Sequence, residues 1–98
     1  MIEIRQTLVF EDFLNGLRDE RAKAKISARI HRLANGNAGD VAPVGGGVSE
    51  LRLHFGPGYR VYFMRHGQTL IMLLCGGDKS TQDRDIKRAK ELARDMEF

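Results

Sequence analysis

The sequence predicts an α+β protein in which an N-terminal strand and two helices pack on an antiparallel sheet and a last helix closes the chain. Three observations carry that prediction. Apolar residues recur at helical spacing from Phe10 to Leu33, alternate with polar ones from Glu50 to Met64, and return to helical spacing from Ile86. The 98 residues and 42% hydrophobic content suffice for one compact domain, residues 1–98, and leave too little chain for two cores.

Ile2 and Ile4 alternate with Glu3 and Arg5, as in a short strand with one buried face. Thr7 is placed to cap a short helix carrying Phe10, Phe13, Leu14 and Leu17. From Asp19, a second N-cap, the apolar residues Ala22, Ile26, Ile30 and Leu33 step by three or four. Arg21, Lys23, Lys25, Arg29 and Arg32 fill much of the remaining surface, and the helix should end at Asn35-Gly36.

Gly36 to Gly47 holds five glycines and Pro43 without periodic apolar residues, and is expected to be a surface loop. Next, Leu51, Leu53 and Phe55 alternate with Glu50, Arg52 and His54, and after the Gly56-Pro57-Gly58 turn Val61 and Phe63 alternate with Arg60, Tyr62 and Met64. The run from Thr69 to Cys75 is apolar on both faces and is expected at the centre of the sheet. Ser80, with Asp83 three residues on, is the expected N-cap of the closing helix, whose apolar stripe is Ile86, Ala89, Ala93 and Met96.

Composition narrows the function. A net charge of +3 permits an anionic partner without requiring one, so the clustering of charge matters more than its sum. No apolar stretch reaches the ~20 residues of a membrane span, no signal peptide is recognisable, and the lone Cys75 lies in an apolar run. A cytoplasmic protein without membrane contact is expected. His31 and His66 have no second metal-ligand motif nearby, so neither a metal nor a cofactor is expected. Gly76-Gly77-Asp78-Lys79-Ser80 has Asp78 where a phosphate-binding loop needs glycine before its lysine, which excludes a nucleotide site of that kind.

The polar face of the two strands carries the candidate chemistry. Arg52 and His54 on one strand and Arg60 and Tyr62 on its neighbour can converge across the hairpin, with Lys79 joining them. Such cations attract a phosphodiester, and guanidinium groups hold it by paired hydrogen bonds. Metal-free RNA cleavage requires a base, an acid and donors for the charge developing on phosphorus. His54 and Glu50 are candidate bases; Arg52, Arg60 and Lys79 are candidate charge stabilisers; Tyr62 is placed to stack on a base or donate a proton. Arg84 and Arg88 on the closing helix join Glu50 and Tyr62 as candidate RNA contacts. The competing reading is a solvated sheet face whose cross-strand ion pairs contribute little.

Glu50-Leu51-Arg52, the run Gly56-Pro57-Gly58-Tyr59-Arg60-Val61-Tyr62-Phe63, and Leu73 to Asp83 followed by Asp85-Ile86 and Ala89 together resemble the RelE/ParE toxin superfamily, nearest to its addiction-module killer, HigB-like branch. The order of elements matches over nearly the whole chain. The resemblance implies a RelE-like fold with a curved antiparallel sheet, a role as the toxin of a type II toxin–antitoxin pair, and a cognate antitoxin of the helix-turn-helix DNA-binding type that binds it as a hetero-oligomer. It further implies a ribosome-dependent mRNA endoribonuclease, with Arg52, Arg60 and Lys79 at comparable positions. Many members place a Tyr or His near the C-terminus, where this chain reads Asp95-Met96-Glu97-Phe98. That departure keeps open a ParE-like DNA gyrase inhibitor or a non-catalytic antitoxin-binding module.

Overall fold

The computed structural model describes residues 2–98. In chain order the elements are β1 (Glu3–Gln6), α1 (Leu8–Gly16), α2 (Glu20–Ala34), β2 (Val41–Gly45), β3 (Val48–Arg52), β4 (Tyr59–His66), β5 (Leu70–Asp78), a 3-10 turn (Lys79–Thr81) and α3 (Gln82–Arg94). The α+β class and the order of the helices match the reading of the sequence. None of the helices is long and apolar enough to cross a membrane, among the described residues.

The sheet is five-stranded in the order β1-β5-β4-β3-β2. It is mixed rather than wholly antiparallel, because β1 joins parallel to β5 while the other neighbouring pairs run antiparallel. β4 therefore holds the central position expected of β5. Leu70 to Cys75 are nonetheless buried, since β1 covers the outer edge of β5 and helices cover its faces.

β2 lies inside the stretch expected to be a loop. Val41, Ala42 and Pro43 pair with Leu51, Glu50 and Ser49 of β3, and Gly46 (φ 63°) and Gly47 (φ 78°) make the tight turn between the two strands. Pro43 is compatible with a strand here because β2 is an edge, where one side of the backbone needs no donor.

Local chemistry explains the helix starts. The Thr7 hydroxyl accepts from the Phe10 amide at 3.0 Å and donates to the Leu74 carbonyl at 2.5 Å, so one side chain caps α1 and ties it to β5. Asp19 accepts from the amides of Arg21 and Ala22 at the start of α2, and Gly36 (φ 84°) follows its end. Ser80 does not cap α3. Asp78 caps the 3-10 turn by accepting from the Ser80 amide at 2.8 Å, and Thr81, in the cap position of α3, donates its hydroxyl to Asp85 at 2.5 Å instead.

Alternation along the strands builds two apolar layers. Leu51, Leu53, Val61, Phe63, Ile71 and Leu73 pack with Phe10 of α1 and Ile26 and Leu33 of α2. Val48, Tyr62, Met72, Leu74 and Cys75 pack with Ala89 of α3. A register shift opposite Tyr62/Phe63 lets both Leu74 and Cys75 join the second layer. The face bearing Glu50, Arg52, Arg60 and Tyr62, expected to be open, is thus the one that α3 covers.

Candidate functional site

Arg52 stands directly opposite Arg60 in the β3–β4 register. Two facing guanidinium groups repel unless an anion stands between them, and Glu50 supplies it. Its Oε1 accepts from Arg52 Nε at 2.8 Å and lies 3.9 Å from Arg60 Nε. Its Oε2 accepts from the Tyr62 hydroxyl at 3.0 Å and from Gln82 Nε2 of α3 at 2.8 Å. Burial raises the Glu50 pKa, but the donors Arg52, Gln82 and Tyr62 outweigh it and hold the carboxyl below its ordinary value. The Tyr62 phenol is raised, by burial first and then by Glu50.

Glu50 and Tyr62 are fully buried, which corrects their expected role as RNA contacts. They hold Arg52 and anchor α3 rather than face solvent. Arg60 is only 7% exposed, so it too departs from the open face expected of it. Its Nη1 donates to the carbonyls of Gly58 at 3.1 Å and Tyr59 at 3.2 Å, while its Nε is buried without a hydrogen-bond partner.

Gly58 (φ 79°) brings Lys79 to Arg60. A methyl group on Gly58 would lie 3.4 Å from Lys79 Cβ and 3.5 Å from Arg60 Nη1, in ordinary contact with both, so it is the positive φ rather than space that favours glycine here. Lys79 is exposed and, with Arg84, lines a hollow of about 340 Å³ at the start of α3. The Arg84 side chain is 76% exposed. Arg88 falls elsewhere, in a hollow with Val9, Asp12, Phe13 and Gly76.

His54 lies beyond the end of β3 rather than on the strand face with Arg52. Its side chain is 70% exposed, and Nε2 sits 2.6 Å from Oδ2 of Asp40. The other oxygen of Asp40 is 3.7 Å from Arg52 Nη1. The bond to His54 is the main cause that holds the Asp40 carboxyl below its ordinary value; burial opposes it, and Arg52 and Arg29 add to it. Arg29 of α2 closes this corner by donating to the carbonyls of Arg52 at 3.0 Å and Ala38 at 3.1 Å.

Asp40, Arg29 and Gln82 were invisible as site residues in the sequence. Asp40 sits in a glycine-rich stretch without periodicity, and Arg29 is one of several cations on α2. Gln82 precedes the apolar stripe of α3, a position that carries a buried partner only once the sheet register is known.

Fold and site together define a small mixed-sheet α+β protein with a cationic corner built over a buried carboxylate. The chain belongs to the family described as phage derived protein Gp49-like (DUF891), which it matches over residues 12–96. It is also 55% identical over 95 residues to a protein of Haemophilus influenzae, covering 97% of this chain and 96% of that relative, which is described as an uncharacterized protein.

Proposed function

We propose that the protein is the toxin of a type II toxin–antitoxin pair, a single domain of the RelE/ParE superfamily and its HigB-like branch, acting in the cytoplasm. In this reading it is a metal-independent endoribonuclease that cleaves mRNA on the ribosome. A cognate antitoxin, of the helix-turn-helix DNA-binding type, neutralises it by direct contact in a hetero-oligomer.

One observation carries the reading. Lys79 Cβ and Arg60 Nη1 both flank Gly58, while Arg52 faces Arg60 across the strands. Two cations, Arg52 and Arg60, meet one buried carboxylate, Glu50, and with the exposed Lys79 nearby the excess positive charge suits a phosphodiester. Arg52 and Lys79 bind the scissile phosphate, the nearly buried Arg60 adds its charge from beneath to stabilise the developing negative charge, and His54 is the base. Arg84 extends the path from Lys79, and Arg88 contacts RNA further along α3. Glu50 and Tyr62 act from below by fixing Arg52.

A gyrase-directed reading draws on the chain end. The Phe98 ring stacks on His66 at 4.0 Å, and His66 closes β4 at the end opposite Tyr59 and Arg60, so Phe98 lies away from the cationic corner. Inducible expression with translation and DNA supercoiling followed side by side separates the two. The nuclease reading expects rapid loss of translation with supercoiling unchanged, and an Arg60→Ala variant that remains folded and antitoxin-bound but no longer arrests growth. Gyrase-dependent double-strand breaks with translation initially intact would overturn it.

A further inference from the structure

The cationic corner offers Arg52, Arg60 and Lys79 to a phosphate, and its one carboxylate, Glu50, is enclosed by donors and closed to substrate. The adjoining rim carries an exposed imidazole, His54. We infer that Asp40 and His54 form the proton-transfer pair of this site, with Asp40 as the positioning residue and the His54 imidazole as the base. This inference rests on the ribonuclease reading above and deepens it.

The geometry supplies three arguments. His54 Nε2 and Asp40 Oδ2 are 2.6 Å apart, and an ionised Asp40 can only accept, so the ring proton sits on Nε2 and the lone pair on Nδ1. Asp40 does not wander, because its carbonyl accepts from the Arg52 amide at 2.9 Å and Arg29 grips the neighbouring Ala38 and Arg52 carbonyls. A methyl group on Gly39 (φ 75°) would come within 2.7 Å of Arg29 Nη2, so glycine is what lets the loop pass under that guanidinium. Finally, the imidazole is open to substrate. It borders a groove of about 240 Å³ lined by Lys25, Arg29 and Arg32 of α2 and by Leu53 and Phe55, so a polyanion passing Arg52 meets His54 next.

The step balances without a further reactant. The 2′-hydroxyl gives its proton to Nδ1 of His54, the 2′-oxygen bonds to phosphorus, and the bond from phosphorus to the 5′-oxygen breaks. The leaving 5′-oxygen takes a proton from water, and His54 returns its proton to solvent. Asp40 stabilises the imidazolium formed in between, while Arg52 on β3 and Lys25, Arg29 and Arg32 on α2 oppose that charge.

The test uses the full chain and ribosomes programmed with a short mRNA, with single-turnover cleavage followed from about pH 5 to about pH 9. His54→Ala is expected to lower the rate roughly 10²- to 10⁴-fold with an unchanged melting temperature. Asp40→Asn is expected to slow cleavage and to release the Nε2–H tautomer of His54. The ring ¹⁵N shifts of His54 in NMR should report that loss of tautomer preference, a readout independent of activity. Full cleavage by His54→Ala while Arg60→Ala is dead would overturn the pair and leave the phosphate site standing. An unchanged cleavage rate and an unchanged ring tautomer in Asp40→Asn would overturn the positioning role. Absence of cleavage by the wild-type chain would remove the ribonuclease reading and the pair together.

Discussion

The hydroxyl of Tyr62 donates to Glu50 across directly paired positions of β4 and β3, at 3.0 Å and out of contact with water. Two residues with the look of active-site candidates are therefore the foundation on which Arg52 and α3 rest. Tyr62→Phe removes one hydrogen bond to a buried charge and is expected to destabilise by about 1.5–3 kcal/mol. Glu50→Ala leaves Arg52, Gln82 and Tyr62 without their common acceptor and is expected to cost about 3–5 kcal/mol. Urea unfolding of both variants checks the order.

Acid should act through the same carboxyl. Because folding lowers the Glu50 pKa, its contribution is complete above the pKa of the unfolded chain and is lost as pH falls through the lower folded value. Stability is expected to hold from neutrality down to the ordinary carboxylate range and to decline below it. Glu50→Gln should be less stable at neutral pH and flatter across that acid window. Denaturant midpoints measured from about pH 7 to about pH 2 test the difference in slope.

Two adjacent glycines report how closely helices approach β5 from opposite sides. A methyl group on Gly76 would overlap the Phe13 ring of α1, and one on Gly77 would overlap the Asp85 carboxylate of α3. Asp85 is itself buried and held by Thr81, so it has little room to yield. Gly76→Ala and Gly77→Ala are each expected to lose about 1–3 kcal/mol or more. Gly16→Ala, with nothing within 4 Å, serves as the neutral control in thermal unfolding.

Arg60→Lys keeps the charge but discards the fork that spans the Gly58 and Tyr59 carbonyls. On the ribonuclease reading proposed above, it and Lys79→Ala are each expected to lower mRNA cleavage by roughly 10²- to 10³-fold, the usual loss on removing one stabilising donor. Arg88→Ala, outside the corner, should have a much smaller effect. Cleavage rates of the folded variants decide.

Cys75 should be silent in the native protein. It is buried, and that burial, with Asp85 nearby, pushes its thiol up to about 12, so almost no thiolate forms at neutral pH. Alkylation monitored by mass spectrometry is expected to proceed only when denaturant opens the fold.

Periodicity made the helices legible. Thr7 and Asp19 cap α1 and α2 as their spacing suggests, and the apolar steps Ala22, Ile26 and Leu33 are buried. β2 was hidden because glycines and Pro43 mask a strand that needs only one paired side, although Gly46-Gly47 before an alternating segment is itself a hairpin signal. The site was half legible. Alternation grouped Glu50, Arg52, Arg60 and Tyr62 on one face, but it does not say whether a helix covers that face. Only α3, docking through Gln82 and Ala89, turns Glu50 and Tyr62 into buried supports. The pairing of Asp40 with His54 depends on a loop closing over β3, which no local pattern encodes.

β1 precedes every other element described, yet its backbone partner is β5, with Glu3 set against Leu70. The same β5 strand also completes β4 and carries the backbone on which both Phe13 and Asp85 close. Without β5 the chain has neither a partner for β1 nor a support for the 3-10 turn that carries Lys79. The strand nearest the start of the sequence and the cationic corner therefore take shape together, as one cooperative unit built on β5.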